Sequence, residues 1–330
     1  MMRNVLVTGG AGFIGSHLVE LLVADGARVT VVDNLVTGLR RNLTGVLGAG
    51  CRLVVADIRD GALVDSLLEG VDTVFHLACL GVRHSIHSPV ENHEVNATAS
   101  LHLLEAARRA GVGRFVHVSS SEVYGSARTV PMGEDHPTCP MTVYGASKLA
   151  GEAYARAQFH TYGFHTVVVR PFNAYGPRSH HEGDSGEVIP KFTLRGLAGR
   201  PLIVFGDGEQ TRDFTYVEDT ARGIRDAGTV PEAVGMTINL GSGQEISINA
   251  LAREVAGVLG RQLEVQHAAP RPGDVRRLYA DSRLASRVLG FASRVGLREG
   301  LSRLRDWYAS SGTPVEELLA QERVQNWLMP

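Results

Sequence analysis

Short runs of apolar residues alternate with longer amphipathic stretches along the first half of the chain. The apolar runs are rich in valine and show little polar alternation, which is typical of parallel strands buried on both faces. They predict strands at residues 4–8, 28–33, 52–56, 73–77, 114–119 and 166–170. The stretches between them predict helices, among them 13–24, 97–110 and 144–161. This alternation predicts an α/β fold with a doubly wound parallel sheet.

The pattern changes after Pro171. A loop-like stretch at 175–187 is rich in Gly, Pro, His, Ser and Asp. Beyond it we predict a turn at 206–208, a strand at 237–240, and helices at 189–197, 249–259, 282–289 and 298–308. We therefore assign residues 1–172 to one region and 173–330 mainly to a smaller, discontinuous one. Trp307 and Trp327 are expected to pack a pair of helices there, without a chemical role.

Charge and cysteine usage exclude several classes of function. Lys+Arg number 33 against 35 Asp+Glu, and no basic run stands out, so we expect neither nucleic acid nor an anionic membrane as partner. No uninterrupted apolar run reaches the roughly 18 residues of a membrane span. The three cysteines are far apart, which argues against a disulfide framework or a metal site. We expect a cytoplasmic protein, since the first strand leaves no room for a signal peptide.

A glycine-rich loop joins the first predicted strand to the first predicted helix. Gly9, Gly12 and Gly15 would permit a tight turn and let a diphosphate approach the backbone at the amino end of the helix. Asp33 ends the second predicted strand. Its carboxylate would accept hydrogen bonds from ribose hydroxyls and repel a 2′-phosphate, so we expect NAD rather than NADP.

A second group of residues carries acid–base chemistry. Tyr144 and Lys148 are four residues apart at the start of a helix and therefore share one face. An ammonium group beside a phenol lowers the pKa of the phenol, which can then act as a general base on a sugar hydroxyl. Ser120 follows a predicted strand at the sheet edge where ligands bind, and its hydroxyl can hydrogen-bond the reacting oxygen.

These motifs together resemble the extended short-chain dehydrogenase/reductase family, specifically its NAD-dependent nucleotide-sugar epimerases, dehydratases and decarboxylases. The resemblance covers nearly the whole chain. It implies a Rossmann-type doubly wound sheet with a smaller C-terminal substrate-binding region, bound NAD, and a 4-keto sugar intermediate. It also implies a homodimer formed through the helices at 97–110 and 144–161.

The resemblance also assigns roles to individual residues. Ser120, Tyr144 and Lys148 would be the catalytic triad, joined by Glu122. The cofactor would be held by Gly9, Gly12, Phe13, Ile14, Gly15, Asp33, Asn34, Asp57, Ile58, Leu77, Ala78, Asn96, Ser119, Tyr144 and Lys148. The nucleotide sugar would contact Arg83, Asn173, Arg178, Val188, Arg212, Arg271 and Asp274.

The reaction that follows oxidation at carbon 4 stays open between three alternatives. Glu122 matches the 4,6-dehydratases and the UDP-glucuronate decarboxylases, and Ser121 before it matches the decarboxylases. The loop around Arg83 and the stretch 271–275 resemble 4-epimerases. We interpret the chain as a UDP-glucuronate decarboxylase that forms UDP-4-keto-pentose or UDP-xylose, with a UDP-sugar 4-epimerase and a 4,6-dehydratase as alternatives.

Two further readings are disfavoured. A binding protein without activity would typically lack the tyrosine or the lysine, and both are present here. The adjacent His180 and His181, with Glu182 and Asp184, could suggest a metal. We expect none, because adjacent histidines rarely converge on one ion and the sugar chemistry needs no metal.

Asp33 is predicted to set the choice of cofactor, because its carboxylate binds ribose hydroxyls and excludes a 2′-phosphate. Cofactor extracted from the purified protein should be NAD when identified by mass. Recovery of NADP would contradict the role given to Asp33.

Overall fold

A computed structural model describes residues 2–328 as an α/β protein built around one seven-stranded sheet. All of its neighbouring strands are parallel. The strands are β1 (Asn4–Thr8), β2 (Arg28–Asp33), β3 (Cys51–Val55), β4 (Thr73–His76), β5 (Arg114–Val118), β6 (Thr166–Pro171) and β11 (Thr237–Leu240). Their order is β3-β2-β1-β4-β5-β6-β11, which confirms the predicted Rossmann-type fold. The order reverses between β1 and β4, so a crevice opens at the carboxyl ends of these strands.

Helices cover both faces of the sheet. Those that alternate with its first six strands are α1 (Phe13–Ala24), α2 (Gly61–Leu67), α3 (His84–His87), α4 (Pro89–His93), α5 (Ala99–Arg109) and α6 (Val143–Tyr162). Two helices from later in the chain, α8 (Val217–Thr229) and α10 (Arg283–Leu289), join the same layers, and α8 lies against α1. The second half of the chain thus completes the first.

The remaining elements form a second layer over the crevice. Its short strands pair as β7 (Ala174–Tyr175) with β10 (Thr215–Tyr216), β8 (Leu202–Phe205) with β13 (Val265–Ala268), and β9 (Thr211–Asp213) with β12 (Glu245–Ser247). Its helices are α7 (Val188–Leu197), α9 (Ile248–Leu259), α11 (Leu297–Ser310) and α12 (Val315–Leu319). They share a hydrophobic core that includes Leu202, Leu251 and Leu304. Across residues 2–328, no helix is both long and apolar enough to cross a membrane.

Two expectations need correction. The helix expected at 97–110 begins at Ala99 and follows a wider π-helical turn, Glu94–Thr98. That turn contains Asn96, whose amide hydrogen-bonds both backbone groups of Leu80, so a tertiary contact accompanies the irregular turn.

The tryptophans do not pack a helix pair. Trp307 lies on α11, whereas Trp327 lies in a turn after α12 and packs edge-on against Phe205.

A buried ion pair joins the middle of α6 to β6. Arg170 on β6 donates two hydrogen bonds to Glu152 on α6, of 2.8 and 2.6 Å. Burial alone would raise the pKa of Glu152, but the hydrogen bonds from Arg170 lower it, so the carboxylate stays charged. Arg170 also donates to the hydroxyl of Tyr124 at 2.7 Å, and that hydroxyl donates to Asn239 on β11. The pair thus fixes α6 relative to three segments of the sheet layer.

Gly228, near the end of α8, tests how tightly this layer is packed. A methyl group there would overlap the ring of Phe75, which is fully buried. We expect Gly228→Ala to lower the free energy of unfolding by about 1–3 kcal/mol through overpacking, despite the higher helix propensity of alanine. Chemical denaturation measures the change. Gly45→Ala is the control, since its added methyl meets nothing within 4 Å. Equal stabilities of the two variants would contradict this packing.

Candidate active site

A cavity of about 720 Å³ occupies the crevice between the sheet and the second layer. Most residues assigned from the sequence line it, which brings together residues from both halves of the chain. They are Gly9, Gly12, Phe13, Ile14, Gly15, Asp33, Asn34, Asp57, Ile58, Leu77, Ala78, Arg83, Ser119, Ser120, Glu122, Tyr144, Lys148, Asn173, Val188, Arg212, Arg271 and Asp274. Asn96 and Arg178 are not among the lining residues.

The glycine loop has the shape that a diphosphate requires. Gly9 has φ of 70°, and a Cβ there would lie 2.6 Å from the backbone nitrogen of Ala78. The loops after β1 and β4 therefore approach each other too closely for any side chain. Gly12 precedes α1, and the first residues of α1 line the cavity. The unpaired N–H groups of the first helical turn therefore lie in the cavity wall. A helix start of this kind favours an anion.

Asp33 shapes this loop as well as lining the cavity. Its carboxylate accepts hydrogen bonds from the backbone N–H groups of Ala11 and Leu35, both at 2.9 Å. Burial raises its pKa, and these two donors oppose the shift. A carboxylate has about four acceptor positions, so capacity remains for ribose hydroxyls. The residues present therefore fit the adenosine half of NAD.

Three hydrogen-bonded polar side chains support the adjoining part of the cavity wall. Asn34 donates to Asp57 at 3.1 Å, and Arg59 donates two hydrogen bonds to the same carboxylate. The bonds from Arg59 lower the pKa of Asp57 to about 2. Asp57 is therefore ionised at neutral pH, and its place beside Ile58 in the cavity wall is fixed.

Ser120 and Tyr144 meet at the centre of the cavity. Ser120 follows β5, and its hydroxyl accepts a hydrogen bond from the backbone N–H of Glu122 at 3.2 Å. It also lies near the Tyr144 hydroxyl, where it opposes the rise in the pKa of the phenol. Tyr144 lies in the first turn of α6, which Thr142 caps by accepting from the N–H of Gly145. A capped helix start thus holds the phenol against the serine.

Burial dominates the pKa of Tyr144 in this structure, and the effect expected from Lys148 stays a prediction. The Lys148 ammonium donates to the backbone carbonyl of Val118 at 2.8 Å. Burial and the neighbouring Cys79 thiol raise the pKa of Tyr144 far above its usual value, while the nearby Ser120 hydroxyl opposes them. The Lys148 ammonium has three donors, so its bond to Val118 leaves two for other acceptors.

Three further assigned residues make contacts within the protein. The Ser119 hydroxyl donates to Glu152 at 2.6 Å and is therefore engaged inside the protein. Asn96 fixes the loop after β4 through Leu80 and does not reach the cavity. Arg178 has φ of 69° and pairs with Glu20 on α1. The ligand contacts assigned to Asn96 and Arg178 stay predictions, while the contacts observed for both are within the protein.

Two arginines and one carboxylate form the end of the cavity expected to hold the diphosphate. Arg212 on β9 and Arg271 both donate to Asp274, at 2.7 and 2.5 Å. Because one carboxylate serves two guanidinium groups, the trio keeps a net positive charge. Burial raises the pKa of nearby Glu122, and Arg212 and Arg271 oppose that shift. The cationic trio suits a diphosphate.

Sequence reasoning missed two titratable groups in the cavity wall, Glu187 and Lys191. Burial raises the pKa of Glu187 to about 7 and lowers that of Lys191 to about 7. Lys191 donates to the backbone carbonyl of Arg323 at 2.7 Å. Their spacing of four residues at the start of a predicted helix was the available signal, and the backbone carbonyl of Glu187, which precedes α7, accepts from the N–H of Lys191.

The fold and the site are those of the dinucleotide-dependent enzymes of the extended short-chain dehydrogenase/reductase type. A model of the NAD dependent epimerase/dehydratase family matches residues 5–241. The chain belongs to this family, and its cofactor is NAD.

Similar proteins include enzymes with different reactions. A UDP-glucose 4-epimerase of Mycolicibacterium smegmatis is 39% identical over 92% of this chain and 98% of its own length. UDP-glucuronic acid decarboxylase 1 of Xenopus tropicalis is 35% identical over 91% of this chain and 71% of its own. The solved structure of MoeE5 in complex with UDP-glucose and NAD is 37% identical, with a TM-score of 0.85 over 94% of this chain and all of that one. The chain is thus an NAD-dependent enzyme of nucleotide-sugar metabolism.

Replacing the Tyr144 hydroxyl tests the centre of the site. We expect Tyr144→Phe to reduce turnover of a nucleotide sugar by about a hundredfold or more, the usual cost of losing a general base. Bound NAD should remain, because the glycine loop is untouched. Steady-state assays and cofactor extraction measure the two effects. Tyr162→Phe, at the exposed end of the same helix, is the control. A near-normal rate for Tyr144→Phe would remove the assignment.

Proposed function

We propose that the protein oxidises carbon 4 of a UDP-hexuronate and then removes its carboxyl group, the reaction of a UDP-glucuronate decarboxylase. The observation that carries this proposal is that the Arg83 guanidinium group has no carboxylate partner within residues 2–328. Four arginines line the cavity: Arg195 pairs with Glu322, and Arg212 and Arg271 share Asp274. Within residues 2–328, Arg83 has no ion-pair partner, and its buried Nε has no hydrogen-bond partner.

An unpaired buried cation favours an anionic ligand. Burial lowers the pKa of Arg83 to about 10, so the guanidinium is still charged at neutral pH. The carboxyl groups of Glu187 and Glu122 lie near enough to oppose this shift, but neither forms an ion pair with Arg83. A bound carboxylate would supply the missing direct partner. The diphosphate already has Arg212 and Arg271. A second anion, on the sugar itself, therefore matches Arg83 best.

The first step depends on Tyr144. NAD, when bound, supplies the acceptor and later the donor of the hydride at carbon 4. Ser120 orients the phenol, and Tyr144 takes the proton of the sugar hydroxyl as the base. Lys148 holds the end of β5 through Val118, which keeps Ser120 in register with the phenol.

The second step is assigned to Glu122. A 4-keto uronate is a β-keto acid, so its carboxyl group leaves as carbon dioxide and the electron pair of the broken bond moves into an enolate across carbons 4 and 5. Carbon 5 must then receive a proton. Burial raises the pKa of Glu122, which increases the protonated fraction that can donate it.

A 4-epimerase is the second candidate. It is favoured by the 39% identity to an enzyme named UDP-glucose 4-epimerase. Epimerisation needs only return of the hydride to the opposite face of the sugar, without acid–base help at carbon 5. The role of Glu122 therefore separates the two candidates.

Glu122→Gln should stall the decarboxylase after oxidation, because Ser120, Tyr144 and Lys148 still perform the first step. Reduced nicotinamide and a 4-keto sugar should then accumulate in a single turnover with UDP-glucuronate. Absorbance of the reduced cofactor and the mass of the sugar products measure this directly. A 4-epimerase would show only a modest change in rate and no accumulation.

Glu232→Gln provides the matched control, since Glu232 is exposed and absent from the cavity wall. It should behave as the unmodified enzyme. Unchanged substrate mass in the wild-type reaction, together with an epimerase-like trace for Glu122→Gln, would overturn the decarboxylase proposal.

A further inference from the structure

Residues 322–327 follow α12 and fold back along the cavity. Glu322 pairs with Arg195 of α7 at 2.8 Å, and the backbone carbonyl of Arg323 accepts from Lys191. The Asn326 amide donates to the backbone carbonyls of Asp184 and Gly186 at 3.2 and 2.9 Å. This segment is therefore attached by side-chain contacts to the loop before α7 and to α7 itself.

The segment ends in an aromatic corner. The rings of Trp327 and Phe205 have centroids 4.8 Å apart and lie at 81° to each other. Both residues line the cavity, although Trp327 is only 7% exposed. In this edge-to-face contact the two rings support each other, and together they give the cavity wall an aromatic surface on which a flat ring can stack.

The aromatic corner and the catalytic residues lie in different layers of the protein. Phe205 ends β8, in the second layer, whereas Ser120 and Tyr144 belong to the sheet layer. A nucleotide sugar reacting at Tyr144, with its diphosphate at Arg212 and Arg271, must place its base farther into the second layer. Phe205 and Trp327 provide an aromatic surface in that layer.

We infer that Trp327 stacks on the nucleobase of the substrate and contributes to its affinity, with Asn326 holding the segment in place. The inference rests on the proposed function, since it takes the substrate to be a pyrimidine nucleoside diphosphate sugar. It assigns a binding role to a tryptophan that the sequence pattern places only in the core.

The chain contains two tryptophans, so the inference can be tested by fluorescence. Trp307 packs on Tyr308 and does not line the cavity. In the holoenzyme carrying Trp307→Phe, Trp327 is the remaining tryptophan. Titration with UDP should change its emission, whereas inorganic pyrophosphate, which lacks a base, should bind without changing it. An equal response to both would overturn the inference, and so would no response to bound UDP.

Affinity provides a second readout. Trp327→Ala should weaken UDP binding by about tenfold or more, the effect of losing one base-stacking contact, and leave pyrophosphate binding unchanged. Trp327→Phe should restore most of the affinity, which a purely structural defect at this position would not explain. Calorimetry on NAD-loaded protein measures both. UDP binding by Trp327→Ala at wild-type affinity would refute the contact.

The outcomes also separate this inference from the proposed function. If wild-type holoenzyme binds neither UDP nor a UDP-sugar, both fail together. If it binds UDP and turns over a UDP-sugar while every Trp327 variant behaves normally, only the nucleobase contact fails.

Discussion

The geometry of the site depends on the buried ion pair between Glu152 and Arg170. Glu152 lies two helical turns from Tyr144 on α6 and accepts a hydrogen bond from Ser119, the residue before Ser120. Arg170 ties the same carboxylate to β6 and to Tyr124. One charged pair therefore links the helix that carries Tyr144 to the strand end that carries Ser120. Breaking such a pair by removing one partner typically costs about 3–5 kcal/mol, because the other charge stays buried.

Charge is distributed unevenly over the cavity. Near the glycine loop, Asp33 and Asp57 are satisfied by the backbone and by Arg59, and they present acceptors to a ribose and a base. At the other end Arg83, Arg212 and Arg271 outnumber their fixed carboxylate partners. The cavity thus presents acceptors for hydroxyl groups on one side and an excess of guanidinium groups on the other. This asymmetry fits a cofactor ribose near the glycine loop and the diphosphate of a nucleotide sugar at the arginines.

Much of this could be predicted from the sequence, because the strands, the glycine loop and the Tyr144–Lys148 spacing are local features. The contacts that the sequence did not predict join residues far apart in the chain. Arg178 pairs with Glu20, and the Ser119 hydroxyl donates to Glu152. The pKa of Tyr144 is raised mainly by burial, which spacing along one helix cannot reveal. Trp327 reaches the cavity because the segment 322–327, which follows α12, folds back onto Phe205 at the end of β8.

The most direct test is a single-turnover reaction of the wild-type holoenzyme with UDP-glucuronate that carries deuterium at carbon 4. Absorbance of reduced nicotinamide and product mass are followed together. The account predicts a transient reduced cofactor that forms more slowly than with unlabelled substrate, and a product that has lost carbon dioxide. A reaction without any reduced cofactor, or a product of unchanged mass, would contradict it.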